Sequence, residues 1–357
     1  MSGDLQVKQS GVDEKFKNFI DAAMGHRTII GESSQHDFSQ LKNIALCADK
    51  NVIRPLGVLM CSILQHNAGS SLAFHIFFDG KMDPENIHKL MEVGRRFQCV
   101  IVLYELAATL FANFSTRKNI TVTAYYRLIV PYVLDNYHVA KCLYLDTDTL
   151  VLKNLSPLFQ HDEGIAYVVR NSTSIPDWWK QYCQELGMKS NRYFNSGVLL
   201  LQIPEYIRHD IGCKALRLLG ENAYQYMDQD VLNILLEGHA VFDQIVTYNC
   251  TMSATNDIYP GDDEVAIVHF TGDKKPWKLY TYYWGEPWYR SDQKRYRWKY
   301  TYYKAWRECA SVSPWAEVPF EPPHNSHEWR YLSKMYFRGG NYGSCLKSYI
   351  QYIKAKI

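Results

Sequence analysis

The sequence predicts an α/β protein whose sheet has largely parallel central strands. Three short apolar runs near the start of the chain, 43–48, 73–78 and 99–104, are each bounded by polar turns. Apolar runs of this length are typical of strands that are buried on both faces. Because helix-like stretches separate them, they predict successive βαβ units, which require parallel strands.

The remaining elements follow from the same patterns. Asp83 before Pro84 marks a helix start, because Asp caps a helix and Pro is tolerated in its first turn. Helices are predicted at 55–65, 84–97, 123–134, 211–220, 228–237 and 328–357, and later strands at 139–145, 164–170, 195–203 and 265–270.

Composition divides the chain into three predicted regions. Residues 1–40 are polar with some helical character, 41–278 carry the strand and helix pattern, and 279–357 are rich in aromatic and basic residues. The last region holds 13 Lys and Arg against 6 Asp and Glu, although the whole chain has a net charge of only +2. We therefore expect an ordinary catalytic body with a basic tail, and the small net charge gives no reason to expect a nucleic-acid partner.

The nine cysteines are scattered and form no C-x-x-C pair. Several lie in apolar strand-like runs, where free cysteine behaves as a small hydrophobic residue. This pattern predicts no disulfide framework and no zinc site, and it favours a reducing cytoplasm. We also expect neither a secretory signal nor a membrane span, because no apolar run is long enough for a span.

The most informative segment is the apolar run that ends in Asp146 and Asp148. Two carboxylates this close repel each other unless a positive charge lies between them. Mg²⁺ and Mn²⁺ prefer carboxylate oxygens, and open α/β sheets bind ligands at the carboxyl ends of their strands. The pair therefore predicts a metal site, and a turn with two solvated acids is the plain alternative.

A phosphatase of the haloacid-dehalogenase type is a second interpretation of the same pair. In those enzymes an apolar strand ends in D-x-D-x-T/V, and the first Asp is a covalent nucleophile. Leu150 stands here at the fifth position, where that family has a hydroxyl residue or Val, and the motif lies unusually deep in the chain. Both differences weaken this alternative without removing it.

A second motif, around His269, favours a metal bound to phosphate. A neutral imidazole can complete a Mn²⁺ site. Gly272 lets the backbone approach a phosphate closely, and Lys275 can neutralise one. Two other polar stretches, 193–197 and 227–233, are by themselves equally consistent with a strand entry and a capped helix start.

Six segments in order resemble the retaining sugar-nucleotide glycosyltransferases of the GT-A fold, over about residues 42–278. That family includes bacterial lipopolysaccharide galactosyl- and glucosyltransferases and glycogenin. The tail, with Ser313-Pro314-Trp315 and a basic helix, resembles the C-terminal region of the lipopolysaccharide core glucosyltransferase branch. The six segments are 44–51, 126–128, 143–148, 194–198, 228–233 and 269–277.

The resemblance implies a role for each matching position. Asp146, Asp148 and His269 would hold Mn²⁺ or Mg²⁺ against the diphosphate of a UDP-sugar. The other implied donor contacts are Cys47, Asp49 and Asn51 on uridine, Gly272 and Lys275 along the diphosphate, and Arg127, Asn195, Asp228 and Gln229 around the sugar. Thr147, between the two carboxylates, is a further implied donor contact.

The implied reaction is metal-dependent transfer of glucose or galactose from the UDP-sugar to a hydroxyl of the lipopolysaccharide core, forming an α-glycosidic bond. Gln229, Asp228 and Lys275 are the implied catalytic residues. Retention ordinarily uses a carboxylate nucleophile. Because Gln229 is an amide, same-face substitution is the alternative. A catalytically dead carbohydrate-binding relative is the non-enzyme alternative.

The resemblance also implies UDP-glucose or UDP-galactose and the core glycolipid as partners, and the basic, aromatic tail favours an anionic membrane surface as a third. The location would be peripheral, on the cytoplasmic face of the inner membrane. Three interpretations of the tail stay open: a structural helix and linker, an interfacial surface, and a direct contact with the acidic acceptor.

Overall fold

The structure is a computed structural model that describes residues 14–30, 37–107, 111–112, 114, 116, 121–170, 177–243, 246–252, 261, 263–281 and 298–357. The chain divides into two compact units. The first consists of 1–50, 69–145 and 156–244, and the second of 51–68, 146–155 and 245–357.

The strands of the described residues are β1 (Met24–Ile30), β2 (Lys42–Ala48), β3 (Leu72–Asp79), β4 (Val100–Leu106), β5 (Lys141–Leu145), β6 (Thr149–Val151), β7 (Ala166–Arg170), β8 (Phe194–Gln202), β9 (Ala240–Asp243), β10 (Cys250–Thr251) and β11 (Ile267–His269). The helices are α1 (Glu14–Ala23), α2 (Ile53–His66), α3 (Pro84–Phe97), α4 (Thr123–Tyr126), α5 (Val130–Asp135), α6 (Asp177–Glu185), α7 (Ile203–Arg208), α8 (Ile211–Glu221), α9 (Asp228–Leu235), α10 (Trp298–Ser311), α11 (Ser326–Arg338) and α12 (Tyr342–Lys354).

The first unit is built on a mixed sheet with the strand order β1-β4-β3-β2-β5-β8-β7-β9. Its centre, β4-β3-β2-β5, is parallel, which confirms the prediction from the βαβ pattern. Strand β8 runs antiparallel to both β5 and β7, and β1 is antiparallel to β4 at the edge. Strands β2 and β3 are buried along nearly their whole length, as their apolar sequences predict.

Two predictions for the first unit were wrong in detail. The helix expected at 123–134 is two short helices, α4 and α5, interrupted at 127–129. Pro131 lies in the first turn of α5, and a proline there cannot donate the hydrogen bond that a continuous helix needs. Strand β1 was missed because only Ile30 of its seven residues is buried, which hides the strand periodicity.

The second unit pairs the helix α2 with a small sheet of strand order β10-β11-β6. The Ser62 hydroxyl on α2 accepts a hydrogen bond of 3.1 Å from the backbone N–H of Val151 on β6. Gly57 lies against the ring of Trp315 so closely that a Cβ at this position would be 2.2 Å from it. Trp315, in the tail, is therefore part of the core that holds α2.

The tail also differs from its prediction. The single helix expected at 328–357 is two helices, α11 and α12, because Gly339 and Gly340 end the first one, and Gly340 has a φ of +73°. Residues 282–297 of the predicted aromatic and basic region lie outside the described residues. Within the part of the chain that the structure describes, no helix has the length and apolar character of a membrane span.

Candidate active site

Backbone hydrogen bonds in the second unit fix the segment that carries the two carboxylates. Thr149 donates to the backbone oxygen of Asp146 through its N–H and its hydroxyl, at 3.2 and 2.8 Å. The backbone oxygen of Asp148 accepts from the N–H of Phe270 at 2.8 Å. In the adjoining ladder, His269 on β11 is paired with Thr149 on β6. Strand register therefore places the two motifs side by side.

The structure brings the three predicted metal ligands together. One ligand atom from each of Asp146, Asp148 and His269 lies within 4.8 Å of the others. His269 Nε2 is 3.0 Å from Asp148 Oδ1 and 3.8 Å from Asp146 Oδ2. His269 is nearly fully buried, whereas the carboxylates are 20–25% exposed. We call these three residues the metal cluster.

The chemistry of this donor set fits a divalent cation. His269 Nδ1 is 3.0 Å from Oδ1 of the buried Asn249. An amide oxygen only accepts, so Nδ1 carries the proton, and in the neutral ring the lone pair of Nε2 faces the carboxylates. Two carboxylates and one imidazole suit Mn²⁺ and also Mg²⁺.

Lys275 and the loop before it adjoin the metal cluster. The Lys275 ammonium donates to Asp148 Oδ2 at 2.5 Å and to the backbone oxygen of Phe270 at 2.6 Å. Burial alone would raise the pKa of Asp148, but the Lys275 charge and the contact with His269 outweigh it and hold that pKa well below its ordinary value. Gly272, with φ +82° and open space where a Cβ would lie, leaves the backbone of this loop accessible. Thr147 is buried between the two carboxylate residues.

A second group of predicted residues comes together in the first unit, around a buried ion pair. Arg127 Nε is 3.0 Å from Asp228 Oδ2, and both side chains are at most 7% exposed. The guanidinium also donates to the backbone oxygen and the hydroxyl of Ser196, at 2.7 and 3.0 Å. It lies over the ring of Tyr144, 4.6 Å from the centroid. The pair is thus held on several sides.

Gln229 completes this second group, and both ends of its amide are engaged. Its oxygen accepts from Asn195 Nδ2 at 3.0 Å and from the backbone N–H of Ser196 at 3.1 Å. Its nitrogen donates to the Tyr193 hydroxyl at 3.1 Å. We call Arg127, Asn195, Asp228 and Gln229 the amide cluster.

The amide cluster is supported by a strained turn and a buried carboxylate. Met227, just before α9, has φ 53° and ψ −127°, which is unfavourable for a residue with a side chain. Asp230 accepts hydrogen bonds of 2.5 Å from the hydroxyls of Tyr193 and Tyr182, and one of 2.6 Å from the N–H of Tyr226. Burial and the Asp230 charge raise the pKa of Tyr193 far above its ordinary value, so its hydroxyl stays protonated.

The predicted uridine contacts are divided between the two units. Cys47 and Asp49 lie at the end of β2 in the first unit and are buried, and Asp49 Oδ2 accepts from the Thr121 hydroxyl at 3.0 Å. Asn51 is exposed and belongs to the second unit. The structure gives each of these residues a defined place, and their contact with uridine stays a prediction.

Several supporting residues were not predicted from the sequence. Asn249 orients His269, Ser196 binds Arg127, and Tyr193 and Asp230 hold Gln229. The tyrosine and Asp230 lie inside the two stretches that the sequence had singled out. Asn249, in contrast, is 20 residues from His269 and carries no local signal.

Two family models match this chain. The model for glycosyl transferase family 8 matches residues 43–281, and the model for the C-terminal region of that family matches residues 300–356.

Curated relatives match over most of the length. Lipopolysaccharide glucosyltransferase WaaO of Escherichia coli K12 is 28% identical over 329 residues, covering 88% of this chain and 91% of that protein. Lipopolysaccharide 1,3-galactosyltransferase of Salmonella typhimurium LT2 is 28% identical over 358 residues, covering 96% and 99%.

Solved structures confirm the fold class. Galactosyltransferase LgtC in complex with donor and acceptor sugar analogs aligns with a TM-score of 0.57 and 25% identity, covering 76% of this chain and 96% of that one. The bifunctional glycosyltransferase WbbM aligns with a TM-score of 0.61 and 18% identity, covering 80% and 52%. The mixed sheet with flanking helices is therefore a GT-A fold.

Proposed function

The chain belongs to glycosyltransferase family 8, and we propose that it transfers glucose or galactose from a UDP-sugar to a hydroxyl of the lipopolysaccharide core. The product would be an α-glycoside, with the configuration of the donor retained. Nearly full-length relatives are named for glucosyl and galactosyl transfer to lipopolysaccharide, which supports both the donor class and the acceptor. The family match does not support the alternatives of a phosphohydrolase or a dead carbohydrate-binding relative.

The convergence of the metal cluster is the observation that carries this proposal. Asp146, Asp148 and His269 would hold Mn²⁺ or Mg²⁺, and Asn249 keeps the His269 ring in the tautomer that a ligand needs. A cation bound there would act as a Lewis acid on the diphosphate of the donor. Without it the two carboxylates would repel the phosphates, so the cluster makes binding of the donor depend on the cation.

Lys275 would stabilise the charge that develops on the departing UDP. Its ammonium already lies at Asp148, and the loop that joins it to His269 contains Gly272. We propose that this loop and Thr147 contact the diphosphate. A positioned ammonium stabilises a leaving phosphate more in the transition state than in the ground state, which is how it accelerates transfer.

The amide cluster would hold the donor sugar. An amide is a poor nucleophile, and both ends of the Gln229 amide are already hydrogen-bonded. Asp228 is paired with Arg127, so its negative charge is compensated. These contacts support a same-face substitution in which Gln229 and Asp228 position the sugar and neither forms a covalent bond.

The uridine and the acceptor complete the proposal. Cys47, Asp49 and Asn51 would contact uridine, and the buried Asp49 carboxylate would accept hydrogen bonds from it. We assign catalysis to 41–278 and contact with the acceptor or the membrane to 279–357. The location that fits these partners is peripheral, on the cytoplasmic face of the inner membrane.

A donor assay tests the proposed function. The purified chain is incubated with UDP-glucose or UDP-galactose, Mn²⁺ and a truncated lipopolysaccharide core, and release of UDP is measured with and without a chelator. We expect release with one of the two donors, its loss in the chelator and its recovery on adding Mn²⁺. NMR of the product is expected to show an α-linked hexose.

The assay needs a control for hydrolysis by other routes. Release of UMP and hexose 1-phosphate from the same donors is measured in parallel, because a phosphohydrolase acting on them would cleave their diphosphate bond. Failure of both donors to give metal-dependent UDP release would contradict the proposed function.

A further inference from the structure

The loop that follows β11 carries both Gly272 and Lys275, and we call residues 270–278 the donor loop. Its lysine side chain is held at Asp148, at the backbone oxygen of Phe270 and 5.8 Å from the ring centroid of Trp277. A loop outside a regular ladder must find other partners for its backbone oxygens. In this loop those partners come from the C-terminal region.

Two side chains of helix α10 bind the donor loop through its backbone. The Tyr303 hydroxyl donates to the backbone oxygen of Lys274 at 2.8 Å. Arg307 donates through Nε to the backbone oxygen of Pro276 at 2.9 Å and through Nη2 to that of Lys278 at 2.8 Å. The tyrosine and the arginine are four residues apart, so they project from one face of the helix. We call these two residues the α10 clamp.

The α10 clamp is itself fixed by its surroundings. Tyr303 is buried, and its ring meets that of Phe270 edge to face, with centroids 5.3 Å apart. Burial raises the pKa of Tyr303 above its ordinary value, so its hydroxyl stays protonated and able to donate. The guanidinium of Arg307 lies over the ring of Phe320, 4.1 Å from the centroid. Both donors are therefore aimed at the loop before any ligand binds.

Other contacts hold the backbone at the end of the donor loop. The N–H of Glu321 donates to the backbone oxygen of Trp277, and its backbone oxygen accepts from the N–H of Leu279, both at 2.9 Å. The Thr281 hydroxyl donates to the backbone oxygen of Lys275 at 2.7 Å. The backbone of the lysine is thus fixed on both sides, while its side chain extends to the metal cluster.

We propose that Tyr303 and Arg307 are positioning residues for the donor diphosphate, because they hold the donor loop so that the Lys275 ammonium lies where charge develops on UDP. The inference rests on the proposed function and deepens it, since it gives α10 a part in binding the donor. A shift of about 1 Å in a catalytic group can lower a rate roughly 100-fold. The strands β6 and β11 fix the metal cluster independently, so loss of the clamp should spare binding of the cation.

Hydrogen exchange of the ligand-free full chain tests whether the clamp holds the loop. We expect amides of 271–278 to exchange about tenfold faster in Arg307→Met and about threefold faster in Tyr303→Phe, because lost hydrogen bonds let the loop open more often. Exchange in β2 should not change.

Two matched controls separate the clamp from the loss of any similar side chain. Lys304→Met removes an exposed cation of the same helix, which is paired with Glu308. Tyr132→Phe removes a buried hydroxyl in the first unit, which is bonded to Asp210. Both variants should show the exchange rates of wild type.

Calorimetric titration with UDP in the presence of Mn²⁺ tests the link to Lys275. Arg307→Met is expected to weaken UDP binding and to lower kcat, each about tenfold, with an unchanged increase in melting temperature on adding Mn²⁺ alone. Arg307→Lys can still donate to one carbonyl and should recover part of the loss. Arg307→Met/Lys275→Met should bind UDP no more weakly than Lys275→Met, because the clamp acts through the ammonium.

Two results would overturn the inference. Wild-type exchange rates at 271–278 in both Arg307→Met and Tyr303→Phe would show that other contacts hold the loop. Equal losses of UDP affinity from Arg307→Met with and without Lys275 would show that the arginine does not act through the ammonium. Failure of wild type to bind UDP, with faster loop exchange in the variants, would instead overturn the proposed function and leave the hold of the clamp on the loop in place.

Discussion

The metal cluster and the amide cluster satisfy their polar groups in opposite ways. In the metal cluster two carboxylates and an imidazole converge, and the compensating charge comes from Lys275 at the side. In the amide cluster Arg127 pairs with Asp228, and both ends of the Gln229 amide have hydrogen-bond partners. The first arrangement gains stability from an added cation, whereas the second is already organised before any ligand binds. Variants can test that difference.

Removing a carboxylate from the metal cluster is expected to have the largest effect on activity. Asp148→Asn should lower kcat/KM about a thousandfold, because electrostatic stabilisation by a bound cation is worth several kcal/mol. Its free energy of unfolding without metal should fall less than that of a variant in the buried amide cluster, because the lost contact of Asp148 with Lys275 is partly exposed and the substitution also relieves repulsion from Asp146. Steady-state release of UDP and urea unfolding measure the two quantities.

The exposed Asp177 provides a control for this variant. Asp177→Asn removes the same charge outside the cluster and should keep full activity. Equal activity of Asp148→Asn and wild type would contradict the role of the metal cluster.

Breaking the more deeply buried ion pair of the amide cluster should reduce stability more. Arg127→Met leaves the buried charge of Asp228 without its partner, which costs about 3–5 kcal/mol of unfolding free energy. Urea unfolding measures the loss. The double variant Arg127→Met/Asp228→Leu should recover much of it while remaining inactive, and no recovery would show that the charge is not the cause.

The orientation of His269 gives a smaller effect. Asn249→Ala removes the acceptor of its Nδ1 proton and should weaken Mn²⁺ binding about 10–100-fold, the usual range for a residue that orients a metal ligand. The increase in melting temperature on adding Mn²⁺ reports the affinity. Asn222→Ala, at an exposed position in the first unit, should leave that increase unchanged. A normal increase in Asn249→Ala would mean that the ring is held by other contacts.

The smallest expected effect separates two tyrosines that bind the same carboxylate. The Tyr193 hydroxyl hydrogen-bonds to both Gln229 and Asp230, whereas the Tyr182 hydroxyl donates to Asp230. Tyr193→Phe should therefore lower kcat about tenfold with the KM for the donor nearly unchanged, because the sugar still binds but the Gln229 amide loses a partner. Tyr182→Phe should lower kcat less. The reverse order would show that Asp230 acts on catalysis without Gln229.

The sequence predicted the elements that depend on a local pattern. The parallel strands β2, β3 and β4 and the ends of β5 and β11 followed from apolar runs with polar termini. The residues of the two clusters also lie at the motifs that the sequence singled out, because the end of a strand fixes the position of the side chains that directly follow it. Their proposed roles stay predictions that the variants above can test.

Other features depend on partners that are distant in sequence. Asn249 acts on His269 through the ladder of β10 with β11, and no local pattern around residue 249 indicates it. The helical pattern of the sequence continues through 127–129, so the break between α4 and α5 could be predicted only by giving the single Pro131 more weight than that pattern. Strand β1 and the separation of α11 from α12 were missed for the same reason: a half-exposed strand and a pair of glycines give weak periodic signals.

The three separate segments of the second unit have a consequence for biosynthesis. Asp148 and Lys275 are 127 residues apart. A ribosome that adds about 5–20 residues per second therefore synthesises Lys275 roughly 6–25 s after Asp148. Helix α2, which is almost wholly buried in the folded chain, stays uncovered still longer, because Trp315, which packs on Gly57, is synthesised later. Until then the nascent chain exposes apolar surface that belongs to its own core, and we expect it to be a chaperone client whose metal site is among the last features to form.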